Sequence, residues 1–154
     1  MESASPLSPT DCAAEAEALF KAGYSCAQAV LGACAPRLGI PRETALRWGA
    51  GLGAGLGGLR ETCGAVAAMG AITGLRFGST EPMDAKTKAA LYRQVQAAVA
   101  DFDSAFGTHN CLALLRQASI EKQAGAAPEA RSEAYYAKRP CAAFVRFCAA
   151  RATQ

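Results

Sequence analysis

The stretch RETCGAVAAMGAITG (residues 60–74) joins a run of glycines to a predicted helix that begins with a cysteine. Glycine fills six of the ten positions from 49 to 58, immediately before this stretch. Thr62 is a helix-capping residue type, which puts Cys63 in the first turn of the helix. A thiol at that position meets unpaired backbone N–H groups and the positive end of the helix dipole, and both favour the thiolate.

Three further cysteines follow residues that are typical of helix starts. They are found in the segments Ser25-Cys26, Thr108-His109-Asn110-Cys111 and Pro140-Cys141. The separations along the chain match no compact zinc-finger spacing, so only the fold can bring these thiols together. A single cysteine is ordinarily a small buried apolar residue, whereas four at the first turns of separate helices predict a shared site. The candidate site residues are therefore Cys26, Cys63, Cys111 and Cys141.

Length and composition predict a single globular domain that neither binds nucleic acid nor inserts into a membrane. The chain has 154 residues, of which 51% are apolar and 7% aromatic, and small residues at this density suit closely packed helices. The net charge of +3 is spread along the chain, so no nucleic-acid partner is expected. No apolar run approaches the roughly 20 residues of a membrane span. The first nine residues lack the features of a signal peptide, and a cytoplasmic location is expected. Seven cysteines in a reducing compartment are typically metal-binding, catalytic or buried.

Helical periodicity and capping residues predict an all-α fold. We expect a compact single-domain bundle of about six or seven helices, several of which begin with a cysteine in the first turn. Residues 1–8 are expected to form a disordered tail and residues 9–154 the domain. The expected helices cover about residues 9–22, 26–36, 41 into the glycine run, 62–75, 84–106, a short segment around residue 111, and the chain from residue 140 onward. Residues 119–138 are predicted to be a loop with one or two weak helical turns. Because helical glycine costs about 1 kcal/mol relative to alanine, the glycine run predicts close approach by another helix or by a ligand.

The motifs, taken in order, resemble those of a known family. They are GYSCAQAVL at 23–31, the glycine run, ETCGA at 61–65, CLALL at 111–115 and CAAFV at 141–145. This ordered set resembles the small bacterial and archaeal proteins of the C_GCAxxG_C_C family, which are described as redox-active. The resemblance implies that the four hallmark cysteines of the family are the same four candidate residues. The chain departs from the pattern Cys-Gly-Ala-x-x-Gly at Ala68, and its glycine run reads GLGAGLGG where relatives more often have GFGGG.

The resemblance implies a redox-active protein that uses the four-cysteine site for electron transfer or thiol–disulfide chemistry, an oxidoreductase if it is an enzyme. Two chemistries remain open. In the first, two thiols cycle between dithiol and disulfide, with a helix-start thiolate such as Cys63 attacking. In the second, all four thiolates bind an iron–sulfur cluster or another metal, for which four cysteines are the usual ligands.

A non-enzymatic module that binds a small molecule or a metal is the alternative. In that hypothesis the floor of the pocket is formed by Gly55, Gly57, Gly58 and Gly64. The expected partner is a redox protein or a small molecule, and thin alanine-rich helix faces are compatible with a homodimer. Packing is the expected role of Cys34 and Cys148, although Cys148 lies two turns after Cys141 and is also a candidate resolving thiol. His109 lies two residues from Cys111, so the two side chains point to different sides of a helix.

Overall fold

Eight α-helices form the fold of residues 8–154, the part of the chain that the computed structural model describes. They are α1 (Pro9–Lys21), α2 (Cys26–Cys34), α3 (Arg42–Ala50), α4 (Gly64–Phe77), α5 (Ala85–Phe106), α6 (Cys111–Gln117), α7 (Glu133–Lys138) and α8 (Cys141–Ala152), with a 3₁₀ turn at Ala35–Leu38. Within this range there is no β-strand, only an isolated antiparallel bridge between Thr62 and Asn110. Residues 1–7 of the predicted disordered tail lie outside the described residues, and Ser8 caps α1 by accepting a hydrogen bond from the Asp11 N–H.

The predicted all-α class is confirmed, but the predicted number of helices is too low. The additional helix is α7, in the segment for which only weak turns were expected. Ser132 starts it by accepting a hydrogen bond from the Tyr135 N–H at 3.1 Å. Tyr136 then holds it to α1, because its hydroxyl donates to the Phe20 carbonyl at 3.1 Å. Contact with a helix more than a hundred residues away is not visible in the local sequence.

Helix α2 lies at the centre of the fold and packs against α1, α3, α4 and α8. Ser25 and Gln28 form a capping box at its start, in which each side chain accepts a hydrogen bond from the other residue's backbone N–H. Every residue from 29 to 34 is buried. A helix that is apolar on all sides has to be enclosed by others, so α2 fixes the position of Cys26 at its first turn.

The glycines at the end of α3 allow two backbones to approach each other closely. A Cβ atom on Gly49 would lie 2.8 Å from the Gln28 Cα atom of α2, and one on Gly53 would lie 2.7 Å from the Ser25 Cβ atom. The expectation of close approach is confirmed at these two positions. Gly51 lies between them with open space around its Cα atom. The glycine run therefore seats the end of α3 against the start of α2, which carries Cys26.

The start of α4 differs from the prediction by one residue. Cys63 is itself the capping residue, and Thr62 forms the bridge to Asn110 instead of capping the helix. Asn110, not Thr108, caps α6 by accepting a hydrogen bond from the Ala113 N–H. Both shifts have one cause. The segments that precede α4 and α6 pair with each other through the bridge between Thr62 and Asn110, and this pairing changes which residue caps each helix.

The long helix α5 covers α4 and α8 through an aromatic cluster at its end. Phe102 is fully buried, and its ring lies 4.8–5.7 Å from those of Phe106, Phe144 and Phe147. Edge-to-face contacts at these distances add to the apolar area that the rings bury. None of the helices within residues 8–154 combines the length and apolarity that crossing a bilayer requires.

Candidate functional site

A cavity of about 380 Å³ opens where α2, α4, α6 and α8 begin, and we call it the thiol cavity. Its wall includes all four candidate cysteines: Cys26, Cys63, Cys111 and Cys141. Three of them are the first residues of α2, α6 and α8, and the fourth caps α4. All seven cysteines of the chain lie within the described residues and are free thiols. Four thiols that are distant in sequence therefore share one cavity.

Backbone pairing fixes the positions of two of these cysteines relative to each other. The Cys63 N–H donates to the His109 carbonyl at 2.8 Å, and the Cys111 N–H donates to the Glu61 carbonyl at 2.6 Å. These bonds flank the bridge between Thr62 and Asn110. The starts of α4 and α6 are thus bonded side by side, and their cysteines face the same cavity.

The second half of the glycine run forms a left-handed turn over the cavity. Residues 54–58 all have φ between +53° and +82°. A Cβ atom on Gly55 would lie 2.7 Å from the Cys111 Cβ atom and 2.6 Å from the Glu61 nitrogen. Gly64 is equally crowded, because its Cβ atom would lie 2.7 Å from Cys26 Sγ. Gly57, Gly58 and Gly64 line the cavity, whereas Gly55 lies behind Cys111.

Burial outweighs the helix-start effect on the thiol of Cys26. Burial raises its pKa above the ordinary value, although the nearby backbone N–H groups of Ala54, Ala27 and Ala65 act in the opposite direction. The nearby charge of Cys111 raises the Cys26 pKa further. The prediction that the helix start makes this sulfur a ready thiolate is therefore wrong in its net result.

The same correction applies to Cys63 and Cys141. Cys63 is only 5% exposed, and this burial raises the pKa of its thiol. The Val66 N–H lowers the pKa but offsets only part of the effect of burial. Burial, followed by the charge of Cys26, raises the pKa of Cys141 to about 12. These two sulfurs stay protonated at neutral pH. Cys63 is thus poorly suited to the attacking role that the sequence suggested.

Cys111 has a different neighbour. Arg60 Nη1 donates to Cys111 Sγ at 3.6 Å, and Arg60 has no carboxylate partner within the described residues. The left-handed conformation of Arg60 (φ +59°) turns its side chain toward α6. A guanidinium therefore lies within hydrogen-bonding distance of the Cys111 sulfur, and Cys111 is partly accessible on the cavity wall.

Two further arginines line the cavity and were missed by sequence reasoning. Arg139 is buried, stacks over the ring of Tyr135 at 4.7 Å and donates to Glu129 Oε2 at 3.0 Å. Arg131 stacks over the same ring at 4.5 Å and over that of Phe20 at 4.9 Å. Arg131 belongs to the segment 119–138 that was predicted as a loop, and Arg139 directly follows that segment. The only sequence signal was a pair of arginines flanking two tyrosines just before Cys141.

Three cysteines outside the cavity form a separate buried group. Cys12, Cys34 and Cys148 are all 0% exposed. Cys34 Sγ donates to the Ala149 carbonyl at 3.8 Å, and a hydrogen bond from Cys34 lowers the pKa of Cys12. Burial raises the pKa of Cys148 well above its ordinary value. The packing role expected for Cys34 and Cys148 agrees with their enclosure, and Cys12, which the sequence left unplaced, joins them.

His109 does not line the thiol cavity. Its Nδ1 atom is hydrogen-bonded to the Asp103 carboxylate at 2.9 Å, and its carbonyl accepts the Cys63 N–H. It supports the start of α4 through its backbone. A Cys–His pair with Cys111 is not formed.

Among residues 8–154, no three or more cysteine, histidine, aspartate or glutamate side chains are grouped closely enough to bind a metal ion. The four thiols match an iron–sulfur cluster only in the number and type of donors, since such clusters take four thiolates.

Comparison with known proteins agrees with the motifs. No curated protein and no solved structure matches the chain. One family model, described as "Putative redox-active protein (C_GCAxxG_C_C)", matches residues 24–154. The match begins just before α2 and includes all four cavity cysteines, the left-handed turn and the three arginines. The chain therefore belongs to the C_GCAxxG_C_C family.

Proposed function

We propose that the protein carries out thiol–disulfide exchange with a small-molecule disulfide, using Cys111 as the attacking thiol and Cys26 as the resolving thiol. The observation that carries this proposal is that four free thiols line one cavity. A cavity of about 380 Å³ lies near the lower end of the range of roughly 300–1,000 Å³ found for small-molecule pockets. It suits a small disulfide better than a folded protein.

The roles of the two cysteines follow from their neighbours. Exchange begins with a thiolate, and Arg60 supplies a positive charge at 3.6 Å from Cys111 Sγ. Cys26 is the favoured second thiol because adjacent residues of the glycine run touch both cysteines. The Ala54 backbone lies close enough to the Cys26 sulfur to lower the pKa of that thiol, and Gly55 packs against Cys111.

The exchange balances as follows. The Cys111 thiolate attacks one sulfur of the substrate, which breaks the substrate S–S bond, forms a mixed disulfide and releases one thiolate. Cys26 then loses its proton to that thiolate and attacks the Cys111 sulfur, which forms the Cys26–Cys111 disulfide and releases the second thiolate. Two thiols of the protein are oxidised, one substrate disulfide is reduced to two thiols, and two electrons are transferred. A second dithiol must reduce the protein again.

The test is the reaction of the fully reduced protein with hydroxyethyl disulfide, followed by mass spectrometry of the alkylated peptides. We expect a disulfide between Cys26 and Cys111, and Cys111→Ser should reduce the exchange to the background rate. Cys148→Ala is the matched control, because it removes a buried thiol that is not on the cavity wall. Oxidation confined to Cys12, Cys34 and Cys148, or equal exchange by the two variants, would refute the proposal.

An iron–sulfur cluster bound by Cys26, Cys63, Cys111 and Cys141 is the second candidate, and one observation favours it. Burial raises the pKa of three of these thiols, so several thiolates in the cavity require a strong positive charge nearby. A cluster would supply that charge and one-electron transfer. Iron and acid-labile sulfide analysis of anaerobically purified protein separates the candidates. Stoichiometric iron and sulfide, lost in Cys63→Ser, would favour the cluster over exchange.

A cytoplasmic location belongs to this proposal as well. Free thiols persist in reducing compartments, and all seven cysteines are free.

A further inference from the structure

The charged side chains around the thiol cavity are mostly positive. Arg60, Arg131 and Arg139 line it, and Glu129 is the single acidic residue in its wall. Glu129 is already neutralised, because its Oε2 atom pairs with Lys122 at 2.9 Å and with Arg139 at 3.0 Å. The remaining charge of the cavity wall is therefore positive.

Arg60 is the most informative of these residues, because it is buried without a full set of partners. It is 9% exposed, and its Nε atom is buried with no hydrogen-bond acceptor. The contact from Nη1 goes to a sulfur atom, which is a weak acceptor. Leaving a buried guanidinium without an acceptor is costly, and arginine at such sites ordinarily pairs with a carboxylate or phosphate.

Arg131 adds an accessible cation to the wall. Its guanidinium stacks on the rings of Phe20 and Tyr135, and its only hydrogen bond within the described residues goes to the Tyr24 carbonyl at 3.4 Å. It forms no ion pair with a described residue. Stacking orients the guanidinium while its N–H groups stay available to a ligand.

We infer that the thiol cavity selects small disulfides that carry carboxylate or other anionic groups, with Arg60 and Arg131 as the residues that bind the anion. That the ligand is a disulfide rests on the proposed function. That it is an anion rests on the positive charges of the cavity wall. Positive walls in a cavity of low dielectric attract anions and repel cations, and they raise association rates by about 10- to 1,000-fold. A dicarboxylate disulfide would bring one carboxylate to Arg60 as its sulfur reaches Cys111.

The first test compares three disulfides of similar length and different charge: dithiodipropionate, hydroxyethyl disulfide and cystamine. Each rate of exchange is divided by the rate of the same disulfide with the urea-unfolded protein, which removes differences in intrinsic reactivity. The expected order is anionic, neutral, cationic, with at least about a tenfold difference between the first and the last at low salt. The difference should shrink as ionic strength rises. Equal normalised rates, or faster reaction of cystamine, would overturn the inference.

A second test is independent of disulfide chemistry. Suberate and hexanediamine have the same chain length as dithiodipropionate and cystamine but no sulfur. Suberate should slow the alkylation of Cys111 by iodoacetamide, whereas hexanediamine should not. Arg131→Gln should weaken this protection at least about tenfold. The matched control is Arg93→Gln, which removes an exposed arginine of α5 that does not line the cavity.

The two tests separate this inference from the proposed function. Protection by suberate without any disulfide exchange would refute the exchange chemistry and support the anion site. Exchange with all three disulfides at equal normalised rates, without protection by suberate, would support the chemistry and refute the anion site. Equal protection in the Arg131→Gln and Arg93→Gln variants would also refute it.

Discussion

At the scale of single residues, the site depends on how each thiol is surrounded. Cys63 is enclosed by the start of α4, whereas Cys111 keeps some accessibility and has a guanidinium at 3.6 Å. Reactivity of a thiol follows its thiolate fraction and its exposure. The conformation of Arg60 therefore places a guanidinium beside Cys111, the thiol that we propose as the attacking one.

The first prediction concerns this guanidinium. Arg60→Gln should slow the alkylation of Cys111 by iodoacetamide at pH 7 by about tenfold or more, because the variant loses the hydrogen bond from Nη1 to the reacting sulfur. Arg60→Lys keeps a charge but has a different shape, and it should recover part of the rate. The measurement is alkylation of each cysteine followed by mass spectrometry. If the glutamine variant reacts at the wild-type rate, Cys111 does not depend on Arg60.

The residues of the site differ in how visible they are in the sequence. All four cysteines were identified from their positions after helix-capping residues. Arg131 and Arg139 were not, because they reach the cavity through α7, and α7 is fixed by Tyr136 bonding to Phe20 across the fold. Local patterns predict where a helix starts, but they do not show what a loop touches.

At the scale of helices and loops, the contact between α2 and α3 controls the shape of the cavity. Gly49 is buried against the backbone of α2, and the chain then turns through Gly53 into the left-handed segment. Apart from α7, the helices and most of their boundaries could be predicted from periodicity and capping residues. The left-handed turn could not, because Ala54 and Leu56 adopt positive φ only where the surrounding structure compensates the cost.

The second prediction tests this contact with a matched pair of substitutions. Gly49→Ala should lower the free energy of unfolding by about 1–3 kcal/mol, because the new methyl group would lie 2.8 Å from the Gln28 Cα atom and backbone cannot move away cheaply. Gly51→Ala, two residues later, has open space and an ordinary φ of −80°. It should be neutral or stabilise by about 0.4–1 kcal/mol. Urea unfolding measures both, and equal effects would show that α3 does not seat on α2 in this way.

At the scale of the whole molecule, the cysteines make stability depend on pH. Burial raises the pKa of Cys26, Cys63, Cys141 and Cys148, and the value for Cys141 is about 12. In the unfolded chain these thiols titrate near their ordinary value of 9.0. Between those values the unfolded chain releases protons that the folded protein keeps. The contribution of these buried thiols to the free energy of unfolding is complete below pH 9 and is lost as pH rises toward 12.

The third prediction follows from that sign. For the reduced protein, the free energy of unfolding should fall between pH 9 and pH 11, with each buried thiol contributing at most about 1.4 kcal/mol per pH unit. Cys148 is fully buried outside the cavity, so Cys148→Ala should make this slope shallower by up to that amount. Below pH 8 the wild type and the variant should have parallel curves, whatever the constant cost of the substitution. Urea unfolding under argon at a series of pH values provides the measurement. Curves that stay parallel up to pH 11 would mean that Cys148 ionises as readily in the folded protein as in the unfolded chain. The surroundings of Cys148 would then be less enclosed than the packing of α8 against α1 and α2 implies.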